Sequence, residues 1–146
     1  MKIFLDTSSL FKLYHRENDT DIIERIFTGN NVTIVFLSEI AKIEFASTVW
    51  KKVRLQEISE LQAQTIMKLF ETDFDKYTFI QIDSIITEQA RSLITKYGKQ
   101  GLRTLDSIQF STAVILKNQS DLFITTDKLL DTFFKHELLP TETNKR

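Results

Sequence analysis

The chain has 146 residues and a formal net charge of -1, from 19 lysines and arginines against 20 acids, and it carries no cysteine. That length closes a single hydrophobic core without covalent staples, and the absence of thiols excludes a disulfide framework and any cysteine-held zinc. Two histidines, His15 and His136, lie too far apart to suggest a histidine metal cluster, so a metal here would be a hard cation held by carboxylates.

KIFLD (2–6) reads as a buried strand. The lone Lys2 followed by an apolar run broken at Asp6 is not a secretory leader. No stretch approaches the ~18 apolar residues that span a bilayer, so the expectation is a soluble, cytoplasmic protein with no membrane partner. Phe11 to Tyr14 reads as a short helix and Asp21–Phe27 as a second, with GNN (29–31) as a turn. VTIVFL (32–37) is β-branched and apolar, a strand. A long helix opens at Ser38, with Ile43, Ala46, Val49, Trp50 and Val53 at helical spacing as its inner stripe. Another runs from Ser59 to Phe74 with Leu61, Ile66, Leu69 and Phe70 inward.

TFIQI (78–82) reads as a third strand, Ser84–Tyr97 as a helix ended by Gly98, and 104–117 as a further helix. LFITT (122–126) is a fourth strand and 128–134 a short helix; HELLP (136–140) carries the pattern of a weak fifth strand. Strands separated by helices predict an α/β fold with a parallel sheet between helical layers. The whole reads as one domain over 1–140 with a frayed tail over 141–146.

In open parallel sheets, sites form at the carboxyl ends of the strands. Acids follow the strands at Asp6, Glu39, Asp83 and Asp127, and Glu44 and Asp106 lie on helices that start at the same edge. Asp83 and Glu39 read as structural, and Asp127 serves equally well as a helix cap or as a site residue. Asp106 alone is accounted for by its helix dipole, worth roughly 0.3–1 kcal/mol. Glu44 sits mid-helix in this reading, beside Ile40, Ala41, Ser47 and Thr48, where a carboxylate requires a partner. Asp121, at the far end of its strand, is about 13 Å from that edge and is excluded.

LDTSSLFKLY, SEIAKIEF, LRTLDSIQFSTA and FITTDKLL, in this order and spacing, resemble the PIN-domain ribonucleases, and among these the VapC-type toxins of toxin–antitoxin pairs. The resemblance runs from Met1 to about Pro140. It implies a three-layer α/β/α sandwich with strand order 3-2-1-4-5 and assigns Asp6, Glu44, Asp106 and Asp127 as the catalytic acids. Asp6, Asp106 and Asp127 would hold Mg²⁺ or Mn²⁺, directly or through water, with Glu44 acting through a bound water. Ser8 and Thr125 match the hydroxyls that support the acids, while Gln109 stands where the family often has His, a change read as packing or substrate positioning.

The activity implied is metal-dependent hydrolysis of RNA, with an antitoxin as partner and a homodimer as the common assembly. Lys51 and Arg103 are the candidate substrate cations, with Lys12, Lys42, Lys52, Arg54 and Lys99 as further ones, since a polyanion reaches an acidic cluster only past positive charge. Phe11, Leu13, Tyr14 and Trp50 form a candidate partner groove or, equally, ordinary core. The alternative is a PIN-fold module that binds RNA or protein without cutting. A receiver domain or a dehalogenase-like phosphatase fits poorly, because DTSSL lacks the paired acids those folds place after the first strand.

Overall fold

The computed structural model describes residues 1–142. Four strands, β1 (Lys2–Leu5), β2 (Ile34–Ser38), β3 (Thr78–Ile80) and β4 (Leu122–Ile124), form one parallel sheet in the order β3-β2-β1-β4. Side chains alternate across a strand, and here that alternation builds two cores. Ile3 and Leu5 point to one face with Val35, Leu37, Leu122 and Ile124. Phe4 points to the other with its register partners Phe36 and Phe123.

The first face is covered by α1 (Thr7–Phe11), α2 (Thr20–Gly29), α3 (Ala41–Arg54) and α4 (Glu60–Thr72). The second is covered by α5 (Ser84–Tyr97), α6 (Thr104–Ile115) and α7 (Lys128–His136). The result is the three-layer α/β/α sandwich with a parallel sheet.

The first helix starts earlier than the sequence pattern indicates, at Thr7 and not at Phe11, because Asp6 itself caps it by accepting from the Ser9 N–H. Ser38 belongs to β2, and its hydroxyl accepts from the Ile40 N–H in the turn before α3. The inner face of α3 is Ala41, Phe45 and Val49, four residues apart, while Ile43 and Trp50 point outward at 68% and 39% exposure. Phe45 fixes that rotation: its ring packs 5.4 Å from Phe11 and from Tyr14 and 4.2 Å from Phe70. On α4, where Ser59 and Gln62 form a capping box, Ala63, Ile66 and Phe70 are inward and Leu61 and Leu69 are exposed. Phe11 is buried in the first core, and the partly buried Leu13 and Tyr14 pack against that core.

Among the described residues there is no fifth strand, and the sheet order ends at β4. Helix α7 runs on to His136 and consumes the start of HELLP, Leu138 is left-handed at φ 60, and Leu139 is fully buried. The Phe123 N–H does reach the Pro140 carbonyl at 2.8 Å, but proline has no N–H with which to continue a ladder. Of the expected tail, Thr141 is buried, and residues 143–146 lie outside the described residues.

Phe45→Ala removes the ring that joins α1, α3 and α4. It is expected to cost about 3–5 kcal/mol of stability, read from the midpoint of urea unfolding.

Candidate active site

Asp6 ends β1 and is 4% exposed. A carboxylate buried this far needs hydrogen-bond partners, and it has several. Oδ1 accepts from the Ser9 N–H at 3.0 Å and from Ser8 Oγ at 2.9 Å; Oδ2 accepts from Ser8 Oγ at 2.8 Å and from Thr125 Oγ1 at 2.5 Å. Burial pushes the carboxyl above its ordinary range, and the bonds from Thr125, Ser9 and Ser8 oppose that rise.

Thr125 also accepts from the Asp127 N–H at 3.0 Å, and Thr126 Oγ1 donates to Ser8 Oγ at 3.0 Å, so the ends of the neighbouring strands β1 and β4 are stitched together. Asp127 caps α7 by accepting from the Leu130 N–H at 2.8 Å, and it lines the acidic cleft as well. Of the two roles open to it in the sequence, cap and cleft residue, it occupies both places.

Glu44 lies in the first turn of α3, not mid-helix, because the helix starts at Ala41. Its partners are polar: Oε1 accepts from Gln109 Nε2 at 2.7 Å and from Thr7 Oγ1 at 3.0 Å. Burial raises its carboxyl, the Gln109 and Thr7 bonds lower it, and the charges of Asp6 and Asp106 raise it further. Asp106, in the first turn of α6, is raised by burial and by the charge of Asp127, with Arg103 acting in the opposite sense.

These four acids, from four separated stretches of chain, line one cleft of about 280 Å³ together with Thr7, Ser8, Lys12, Glu17, Lys52 and Gln109. Asp83 and Glu39 do not line it. Asp83 caps α5, Glu39 pairs with Lys42 at 2.8 Å, and Asp121 accepts from the Lys2 N–H at the opposite end of the sheet. A larger hollow of about 670 Å³ between α5 and α6 is lined by Ile82, Ala90, Ile94 and Ile108 and by none of the four acids.

Of the candidate cations, Lys51 is exposed and Arg103 stands before α6 near Asp106; neither lines the cleft, whereas Lys12 and Lys52 do. Gln109 carries more than its sequence context announces: it is 2% exposed, its Nε2 bonds both Thr7 and Glu44, and its Oε1 has no protein partner. Its position three residues after Asp106, on the same helical face, is the signal that points to it.

Among the described residues no three acids stand close enough to form a ready-made metal group. The donor set is nonetheless all oxygen, and three of its carboxyls are pushed up by burial, two of them also by neighbouring charge. That chemistry suits a hard cation such as Mg²⁺, which takes one or two carboxylates directly and keeps several waters.

The chain matches the family model of the PIN domain over residues 3–133. It belongs to the PIN domain family. No curated protein matches it in sequence. Solved structures do match in fold. VapBC2 from Rickettsia felis, bound to a DNA fragment from its promoter, is 18% identical with a TM-score of 0.65, covering 97% of this chain and 98% of that one. VapC20 of Mycobacterium tuberculosis, a toxin that cleaves the sarcin–ricin loop, is 15% identical with a TM-score of 0.67, covering 90% and 94%. VapBC-1 from nontypeable Haemophilus influenzae is 17% identical with a TM-score of 0.64, covering 100% of both chains. Among the described residues of this PIN domain no helix is long and apolar enough to cross a membrane.

Two outcomes follow from the geometry. Carboxyls held above their ordinary range bind protons more readily in the folded state, so their contribution to stability is present at low pH and lost as pH rises through their folded values. Asp106→Asn is therefore expected to raise the melting temperature of the metal-free PIN domain by about 2–4 °C at pH 7 and by much less at pH 4, in melts recorded with EDTA. Thr125→Val removes a hydrogen bond to the buried Asp6 carboxyl and is expected to cost about 1–3 kcal/mol in urea unfolding at pH 7.

Proposed function

We propose that this PIN domain is a metal-dependent endoribonuclease and the toxin of a VapBC-type toxin–antitoxin pair. The observation that carries the reading is the convergence of Asp6, Glu44, Asp106 and Asp127 on one cleft at the carboxyl edge of the sheet. Asp6, Asp106 and Asp127 would hold Mg²⁺ or Mn²⁺. When bound, such a cation lowers the pKa of a water, orients the phosphate and neutralises charge on the leaving oxygen.

The chain's own residues supply the rest. Ser8, the Ser9 N–H and Thr125 fix both oxygens of Asp6, so it meets its ligand without reorganising. Gln109 and Thr7 occupy Glu44 Oε1, which leaves Oε2 as the oxygen to take a proton from the attacking water. Hydrolysis then proceeds without a covalent intermediate. An antitoxin partner is supported by the VapBC assemblies among the fold neighbours. It is also supported by Ile43 and Trp50, exposed seven residues apart along one side of α3. Dimerisation of the chain and a cytoplasmic location are part of the same reading.

The test is cleavage of RNA with Mg²⁺ or Mn²⁺ against EDTA, beside calorimetric titration with Mn²⁺. The wild-type chain is expected to bind Mn²⁺ and to cut RNA only with metal present. Asp6→Asn and Asp106→Asn are expected to lose at least about 10²-fold in rate, with Mn²⁺ binding lost in Asp106→Asn. Gln109→Leu is expected to lose about 10–100-fold while staying folded. A wild-type chain that binds no Mn²⁺ overturns the metal mechanism and leaves a PIN module that binds without cutting.

A further inference from the structure

The acidic cleft has a second wall of opposite sign. Lys12, at the end of α1, and Lys52, near the end of α3, are the only cationic residues lining it among the described residues. Their side chains are 14% and 17% exposed, unlike a solvated surface lysine, and both turn to one carboxylate. Lys12 Nζ meets Glu17 Oε1 at 3.3 Å and Lys52 Nζ meets Glu17 Oε2 at 2.9 Å. Lys52 also pairs with Glu57 at 3.1 Å and stands 5.6 Å from the centre of the Phe11 ring.

Glu17 is itself anchored, its N–H donating to Thr20 Oγ1 at 2.8 Å. Burial opposes its charge, but the bond from Lys52 and the nearby Lys12 outweigh that and hold its carboxyl below the usual range. An ammonium has three donors. Glu17 takes one from each lysine and Glu57 a second from Lys52, so Lys12 keeps two and Lys52 one for another acceptor.

We propose that Lys12 and Lys52, bridged by Glu17, receive a backbone phosphate of the RNA strand next to the phosphate held at the acids. The inference rests on the ribonuclease reading and adds to it the path of the substrate, which crosses the cleft from α6 and α7 toward α1 and α3. A polyanion entering a cleft lined by five carboxylates requires cations within that cleft. The two half-buried ammoniums, less screened than surface charges, are placed to meet it. Glu17 holds both at fixed separation and offsets one of their two charges while the cleft is free.

The experiment is fluorescence anisotropy of a labelled 20-nucleotide single-stranded RNA, in the Asp106→Asn background so that the RNA stays intact. Adding Lys12→Gln and Lys52→Gln together is expected to weaken binding about tenfold and to reduce the slope of log K against log salt by about 0.7, one phosphate contact on a single strand. Lys12→Arg with Lys52→Arg is expected to restore the slope. With the acids intact, the Gln pair is expected to keep Mn²⁺ binding, which a collapsed cleft would lose. If the Gln pair does lose it, the single Lys12→Gln decides, by whether both affinity and slope fall while Mn²⁺ binding is kept. Unchanged affinity and slope overturn the inference, as does failure of the Asp106→Asn protein to bind the RNA. Metal-dependent cleavage by the wild-type chain separately reports whether the ribonuclease reading stands.

Discussion

One hydroxyl holds the cleft together. Thr125 Oγ1 donates to the buried carboxylate of Asp6 and accepts from the N–H of Asp127, so a single side chain sets the spacing between the ends of β1 and β4. The arrangement requires those strands to be neighbours, which the sheet order provides although they lie more than a hundred residues apart in sequence. It also requires α1 to begin where it does, because Asp6 spends one oxygen on capping that helix. The carboxylate is thus fixed by strand, helix and neighbouring loop together, and none of the three can shift alone.

The charges in the cleft follow a similar economy. Two carboxylates about 4 Å apart repel by roughly 4 kcal/mol at an effective dielectric of 20, a large share of the stability of a small domain. Burial makes Asp6, Glu44 and Asp106 hold their protons more tightly, and the charges of neighbouring acids add to this at Glu44 and Asp106. Glu17 does the reverse beside its two lysines and stays charged. The cleft is therefore divided into a part that gains from added positive charge and a part that already carries it.

Much of this was legible in the sequence because β-strands alternate with period two and helices with period 3.6. KIFL, IVFL and LFI mark the central strands, and the four acids fall after strands or on helices starting at that edge. What stayed hidden was set by contacts between distant residues. Phe45, passed over in favour of Ile43 and Trp50, turns α3 because three rings from α1, α4 and the segment after α1 close around it. Helical spacing from Glu44 points to Lys51. Lys52 reaches the cleft because Glu17, 35 residues earlier, meets it there. In sequence Gln109 reads as packing or substrate positioning, and its bonds to Thr7 and Glu44 are not visible there because those residues lie 102 and 65 residues away.

The bond from the Phe123 N–H to the Pro140 carbonyl also bears on how the chain behaves among its own copies. An open strand edge is a template on which another chain can pair, and a run of free N–H and C=O groups there invites stacking into fibrils. β4 is three residues long, and the chain's own returning segment occupies the central N–H of its outer edge. Pro140 accepts at this contact and has no N–H to return to β4. Among the described residues the β4 edge is thus met by the chain's own returning segment, and β3 is left as the sheet's other edge.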